Sequence, residues 1–257
     1  MNVDSSCVLI TGASAGIGAE FARQYAEAGY NLVLTARRLE PLESLAATLR
    51  SRYDVRVEVF PADLRLPTDV DALAERIRQS EDPVEILVNN AGFGLGKAFD
   101  AAPVERHLEQ VDVLARVPLQ LMHAAILAML ARGRGRIINV ASVAAFTPGG
   151  TYSAVKRFLV VVSESAHLQY SGRGIHVTAV CPGLTRSEFH SAMGQAEPAL
   201  PSFLWLTPQR VVSQAIAAVN AGRPVVVPSL PYKIAVAASR ALPRQVVAAA
   251  IARTRDY

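Results

Sequence analysis

Cys7-Val-Leu-Ile-Thr-Gly12-Ala-Ser-Ala-Gly16-Ile-Gly18 decides the fold. Cys7–Thr11 is a short apolar run that reads as a strand, and Ile17–Ala28 continues as a helix closed by Gly29. Between them, Gly12, Gly16 and Gly18 permit a tight turn, close approach of backbone to a pyrophosphate, and close helix–strand packing. The helix N-terminus adds free N–H groups and a partial positive charge. Gly12, Ser14, Ala15, Gly16, Ile17 and Gly18 therefore read as a dinucleotide cradle rather than a structural turn.

The rest of the chain repeats this strand–helix alternation. Strands are expected at Asn31–Ala36, Val55–Pro61, Glu85–Asn89, Gly135–Ser142 and Ile175–Cys181, with a seventh at Arg223–Pro228. Helices are expected at Pro41–Arg52, Pro67–Gln79 and Pro103–Arg132, and from Tyr152 to Gly172. Strands that are continuous apolar runs, separated by helices of ten or more residues, mean an α/β fold: a doubly wound parallel sheet covered on both faces. No repeat, linker or low-complexity tract interrupts it, so residues 1–257 read as one domain.

Composition narrows the function. Half of the 257 residues are apolar, enough for a large core, and the net charge of +4 is spread along the chain. Without a dense basic run interleaved with aromatics, nucleic acid is not an expected partner. A polyanionic small ligand suits the mild positive excess. Cys7 and Cys181, the two cysteines, sit in strand-like stretches and read as reduced core thiols. No Cys/His spacing suggests a metal. The start of the chain leaves no room for a signal peptide, and no run of uninterrupted apolar residues reaches membrane-spanning length. A cytoplasmic protein is the expectation.

Two further features concern chemistry. After the second strand, Ala36-Arg37-Arg38 offers no acid for a ribose 2′-hydroxyl but two guanidiniums for a 2′-phosphate, which favours NADP(H) over NAD(H). Asp63-Leu64, after the third strand, is placed to meet the adenine, although Asp63 suits a helix cap equally well. Downstream, Tyr152 and Lys156 stand four apart, on one face of a helix. An ammonium there favours phenolate and is expected to lower the Tyr152 pKa, making a general acid/base.

Taken together, TGxxxGxG at Thr11–Gly18, NNAG at Asn89–Gly92, YxxxK at Tyr152–Lys156 and Pro182-Gly183 after strand six resemble the short-chain dehydrogenase/reductase family over essentially the whole chain. The resemblance implies a Rossmann-like sheet in the order 3-2-1-4-5-6-7 and hydride exchange between a nicotinamide and a carbonyl/alcohol pair. It assigns proton transfer to Tyr152, the nicotinamide ribose to Lys156, and the substrate oxygen to Ser142. Asn90, Ala91, Gly92, Pro182, Gly183, Leu184 and Ser187 fall on the cofactor side. A homodimer or homotetramer paired through the helices at Pro103–Arg132 and Tyr152–Gly172 is also implied.

Three departures stand out. Leu114 replaces the asparagine usual after strand four, though Pro118, lacking an N–H, should free the Leu114 carbonyl to hold a relay water. The Ser142–Tyr152 gap is short, with Gly149-Gly150 available for a sharp turn. Ala15 stands where many NADPH-using relatives carry a basic residue, leaving phosphate recognition to Arg37 and Arg38. On the substrate side Phe93, Phe146, Phe189 and a lid over about 187–210 suggest an apolar ketone, aldehyde or secondary alcohol. The apolar, proline-broken stretch 224–257 carries Lys233, Arg240, Arg244 and Arg253, and suits packing on its own domain or a neighbour, or weak membrane-surface contact. Two rival readings stay open: a catalytically silent NADP(H)-binding protein and a membrane-associated reductase.

Overall fold

A computed structural model describes residues 6–187, 201–242 and 245. Seven strands, β1 (Cys7–Thr11), β2 (Asn31–Thr35), β3 (Val57–Val59), β4 (Val84–Asn89), β5 (Gly135–Val140), β6 (Ile175–Val180) and β7 (Val225–Val226), form one sheet in the order β3-β2-β1-β4-β5-β6-β7. Every pairing is parallel. Such strands need cover on both faces. Accordingly Val8, Ile10, Leu32 and Val88 face one core and Leu9, Val33, Leu87 and Val177 the other, all fully buried.

The first core is closed by α1 (Gly16–Glu27), α2 (Leu39–Tyr53) and α7 (Pro208–Asn220) through Phe21, Leu42 and Val212. The second is closed by α3 (Pro67–Arg78), α5 (Val117–Arg132) and α6 (Gly150–Tyr170) through Leu73, Leu121 and Val155. Consecutive helices change face between β1 and β4, and the resulting crevice beyond their carboxyl ends is where such sheets bind ligands.

The outer strands are shorter than the sequence suggests. β3 ends before Pro61 and pairs only with β2, and β7 is confined between Pro224 and Pro228, which cannot donate to a ladder. The helix expected over Pro103–Arg132 is divided into α4 (Val104–Val111), a π-helical turn Asp112–Arg116, and α5. The Val117 N–H reaches back five residues to the Asp112 carbonyl. Pro118 then falls in the first turn of α5, where no N–H is required. By length and composition Val104–Arg132 could span a membrane, but more than half of its most apolar window is buried, and α5 packs on α3 and β5 as a core helix. Cys7 and Cys181 are buried free thiols.

Candidate active site

The glycine loop is shaped by what it touches. Gly12 and Gly16 adopt φ of +64° and +55°, in the left-handed region that side chains disfavour. A Cβ on Gly18 would lie 2.2 Å from the Gly12 carbonyl oxygen and 2.5 Å from Asn90 Nδ2. Asn90 Nδ2 donates to the carbonyls of Thr11 (2.9 Å) and Gly12 (3.1 Å), while Thr11 Oγ1 accepts the N–H groups of Asn90 and Ala91, each at 3.0 Å. The β1 and β4 loops are thereby fixed as one surface. No side chain caps α1 at Ala15, so its first N–H groups remain for an anion. On the third side, Ser187 Cβ lies 3.2 Å from where a Gly16 Cβ would stand. Three loops thus enclose a cradle that only glycine leaves open, and it fits a dinucleotide pyrophosphate.

At the next strand ends, Arg37 and Arg38 are exposed beyond half-buried Ala36. Asp63 is hydrogen-bonded by the Arg65 guanidinium, which holds its carboxyl below the usual range with a smaller contribution from Arg37. Its backbone N–H donates to Asp69 at 2.8 Å. Leu64 is buried among Leu73 and Val33, which leaves only its backbone available to a ligand.

The proton-transfer group lies beyond β5. Ser142 opens the 3₁₀ turn Val143–Phe146, its Oγ accepting the Ala144 N–H at 3.1 Å, and it hydrogen-bonds the Tyr152 phenol. The short connection closes through Gly150, whose φ of +67° starts α6, so the reduced gap still brings Ser142 to Tyr152.

One turn along α6, buried Lys156 places Nζ 5.6 Å from the centre of the Tyr152 ring. The expected electrostatic effect of this neighbour does not materialise. Burial pushes the Tyr152 phenol up to about 12, opposed by the Ser142 hydrogen bond, with no lowering from Lys156. Lys156 Nζ instead donates to the Val140 carbonyl at 2.7 Å, and burial brings its own pKa down to about 8. Removal from water dominates the attraction of the pair. A Cβ on Gly92 would meet the Leu114 side chain at 3.6 Å and Lys156 Nζ at 3.7 Å, so both groups border Gly92.

Phe93 and Phe146 are half-buried, with the Arg106 guanidinium over the first ring (5.5 Å) and that of Arg157 over the second (5.7 Å). Phe189 and residues 188–200 of the expected lid lie outside the described residues, and the lid's expected end is already helical in α7.

Sequence reading assigned His107 no role, yet it is buried and bridges the site's borders. Its Nδ1 meets Thr151 Oγ1 at 2.8 Å, next to Tyr152, and its Nε2 meets the Phe99 carbonyl at 3.1 Å. A carbonyl only accepts, so Nε2 carries the proton and Nδ1 receives the Thr151 hydroxyl. Gln110 Nε2 likewise donates to the Phe93 carbonyl at 3.1 Å. Polar residues three apart on a helix were the available signal, but their partners lie in the loop at Phe93 and Phe99 and in the first turn of α6.

The family model described as short chain dehydrogenase matches residues 6–198. Sulfoacetaldehyde reductase 2 of Chromohalobacter salexigens is 35% identical over 191 residues, covering 72% of this chain and 75% of its own. Among solved structures, a short-chain dehydrogenase from Sphingobium yanoikuyae in complex with NADPH superposes with a TM-score of 0.84 at 33% identity, covering 92% of this chain and 93% of that one. A bulky-bulky ketone specific alcohol dehydrogenase from Comamonas testosteroni gives 0.79 at 32% identity, covering 87% and 86%. With its sheet order, its glycine cradle and these relatives in agreement, the chain belongs to the short-chain dehydrogenase family, as an NAD(P)-dependent oxidoreductase.

Proposed function

We propose that this protein is an NADPH-preferring reductase of a hydrophobic ketone or aldehyde, or in reverse a dehydrogenase of the secondary or primary alcohol. The observation that carries the reading is the Ser142–Tyr152 hydrogen bond, with Lys156 one turn along the helix and its amine beside Gly92. Reduced nicotinamide, when bound, supplies hydride to the carbonyl carbon. Tyr152, protonated at neutral pH like any phenol and held further so by burial, gives its proton to the carbonyl oxygen. Ser142 holds that oxygen through its hydroxyl. Lys156 presents its ammonium to the ribose hydroxyls, and the Asn90–Gly92 and Pro182–Leu184 turns frame the cofactor. Gly12, Ser14, Ala15, Gly16, Ile17 and Gly18 cradle the pyrophosphate together with Ser187. Arg37 and Arg38 receive the 2′-phosphate, beside Asp63 and Leu64 at the adenine. Phe93 and Phe146 line an apolar substrate side. The relative specific for bulky-bulky ketones supports a substrate of that class.

The test is NADPH oxidation against a panel of ketones and aldehydes. Tyr152→Phe should reduce turnover by about 10²–10⁴-fold while NADPH still binds. Loss of both phosphate-facing charges in Arg37→Ala/Arg38→Ala should raise the NADPH KM at least about tenfold and leave the NADH KM nearly unchanged. Leu114, an apolar side chain that borders Gly92 as the Lys156 amine does, favours a second reading, a cofactor-binding protein without turnover. Tight NADPH binding with no oxidation on any carbonyl would establish that reading instead.

We also propose a homodimer through α5 and α6, whose outer faces carry Leu119, Leu127, Phe158, Val161 and Leu168 in the open. Light scattering that gives a monomer mass would reject it. Co-sedimentation with anionic liposomes, with and without the residues after Pro224, tests weak membrane contact through Leu230, Ile234 and Lys233.

A further inference from the structure

Helix α8 (Leu230–Ala241) follows β7 and turns a narrow stripe toward the domain. Tyr232, Val236 and Ser239 are covered or half-covered, one turn apart, while Leu230 and Ile234 are 65% and 61% exposed. Val236 and Tyr232 join a small apolar cluster with Ala145, Val143 and Phe146, and α8 packs on the 3₁₀ turn that Ser142 opens.

Tyr232 goes further than packing. Its hydroxyl accepts the Leu184 N–H at 3.1 Å and donates to the Leu204 carbonyl at 3.1 Å. Its ring lies so close to Gly183 that a Cβ there would sit 2.1 Å from Cε2. The Leu184 and Leu204 strands of chain are also joined directly. Leu206 N–H donates to the Leu184 carbonyl at 2.8 Å and Arg186 N–H to the Leu206 carbonyl at 2.9 Å, with Thr185 bridged to Leu206. One side chain of α8 therefore holds the turn after β6 by its backbone, by its glycine, and through the segment that pairs with it.

We infer that Tyr232 is a positioning residue: its hydroxyl and ring fix the backbone of Pro182–Leu184, the turn facing the nicotinamide, in the orientation that hydride transfer requires. This rests on the reading of that turn as the nicotinamide side of the site. A side chain that only packed α8 onto the domain would need neither a bidentate hydroxyl nor a glycine opposite its ring. A phenol keeps its proton at neutral pH, and burial raises the Tyr232 pKa further, so the hydroxyl is a donor to the Leu204 carbonyl.

The test uses the full-length protein and Tyr232→Phe, which keeps the ring and deletes the hydroxyl. Thermal unfolding should shift by no more than about 5 °C and the NADPH Kd by less than about threefold, because phosphate and adenine contacts lie elsewhere. The fluorescence enhancement of bound NADPH, a property of the nicotinamide surroundings, should fall by at least about half. With any carbonyl that the wild type reduces, kcat should fall at least about tenfold, and the isotope effect with 4-deuterated NADPH should rise as hydride transfer becomes limiting. An unchanged enhancement and kcat would overturn the proposal. So would a loss of kcat that follows the fraction of unfolded protein with an unaltered isotope effect.

Hydrogen exchange on the wild type reads the tie without any variant. Slow exchange at the Leu184 amide is expected, and exchange as fast as a free loop overturns the tie even if Tyr232→Phe does not fold. Should the wild type show no Tyr152-dependent turnover, the catalytic reading fails while the exchange and fluorescence arms still report on Tyr232.

Discussion

Replacing Lys156 with Met tests the electrostatics of the site without any substrate. Buried Lys156 titrates near 8, against 10.5 for the exposed amine, because burial penalises the ammonium more than the neighbouring Cys181 favours it. The folded protein therefore gives up this proton before the unfolded chain does, and the cost of burying the charge is present in full below pH 8. It is relieved as pH rises through 8 toward 10.5. Integrating the two titrations gives wild type a gain of about 1.3 kcal/mol between pH 7 and pH 9. Lys156→Met carries nothing to titrate there and fills similar volume. Cys7, raised to about 12 by burial, works in the opposite direction near pH 9, but it does so equally in both proteins. Urea unfolding of cofactor-free wild type and variant at both pH values yields the difference of differences. If the two proteins change in parallel within about 0.3 kcal/mol, Lys156 is not a desolvated amine and the account of the site is wrong.

Leu114→Asn puts an amide at the edge of Gly92, which the amine also borders; if the two meet, the amine pKa moves back toward 10.5, and the pH 7-to-9 gain measured in urea should drop below half of the wild-type value. For Gly18→Ala, the new Cβ is forced against the Gly12 carbonyl and Asn90, and calorimetry should show a loss of about 1–3 kcal/mol, with NADPH binding weakened at least about tenfold by fluorescence titration. Asn139 is fully buried and joins Asn89 (2.9 Å), Ser163 (2.8 Å) and Met122 Sδ (3.1 Å) across β4, β5, α6 and α5. Asn139→Ala strands the Asn89 amide in the core, and denaturant melts should register about 2–4 kcal/mol, well above an ordinary exposed substitution.

What the sequence made legible follows from which interactions are local. Strand–turn–helix at Cys7–Gly18 announces itself because a strand, a glycine turn and a helix start are all set within a dozen residues. The parallel sheet follows from apolar runs alternating with helices, and its order came from the family resemblance rather than from any residue pattern. Edge strands were drawn too long, since Val55–Pro61 and Arg223–Pro228 look strand-like until one asks which N–H groups have a partner. Pro118 was read as freeing the Leu114 carbonyl, whereas the π turn at Asp112–Arg116 just before it had no signal in the sequence, because it depends on how α4 meets α6 while α5 meets α3 and β5. His107 and Tyr232 were invisible for the same reason: Thr151, Leu184 and Leu204 are tens of residues from the side chains they meet, and Phe99, eight residues before His107, meets it through a loop carbonyl that no spacing announces.

The Tyr152–Lys156 pair marks where reading by spacing stops. Four residues of helix correctly put the amine and the phenol on one face, and Coulomb's law in a uniform solvent would then lower the phenol's pKa. Their burial reverses that outcome, because desolvation acts on each group separately and moves them apart: the phenol rises, the amine falls. At neutral pH the site then holds a protonated phenol, already hydrogen-bonded to Ser142, and an amine close to losing its charge. A protonated phenol suits delivery of a proton to a carbonyl oxygen. Alcohol oxidation would need the same group deprotonated, against its burial. The cofactor-free protein thus holds a proton donor at Ser142, with the amine one helical turn away.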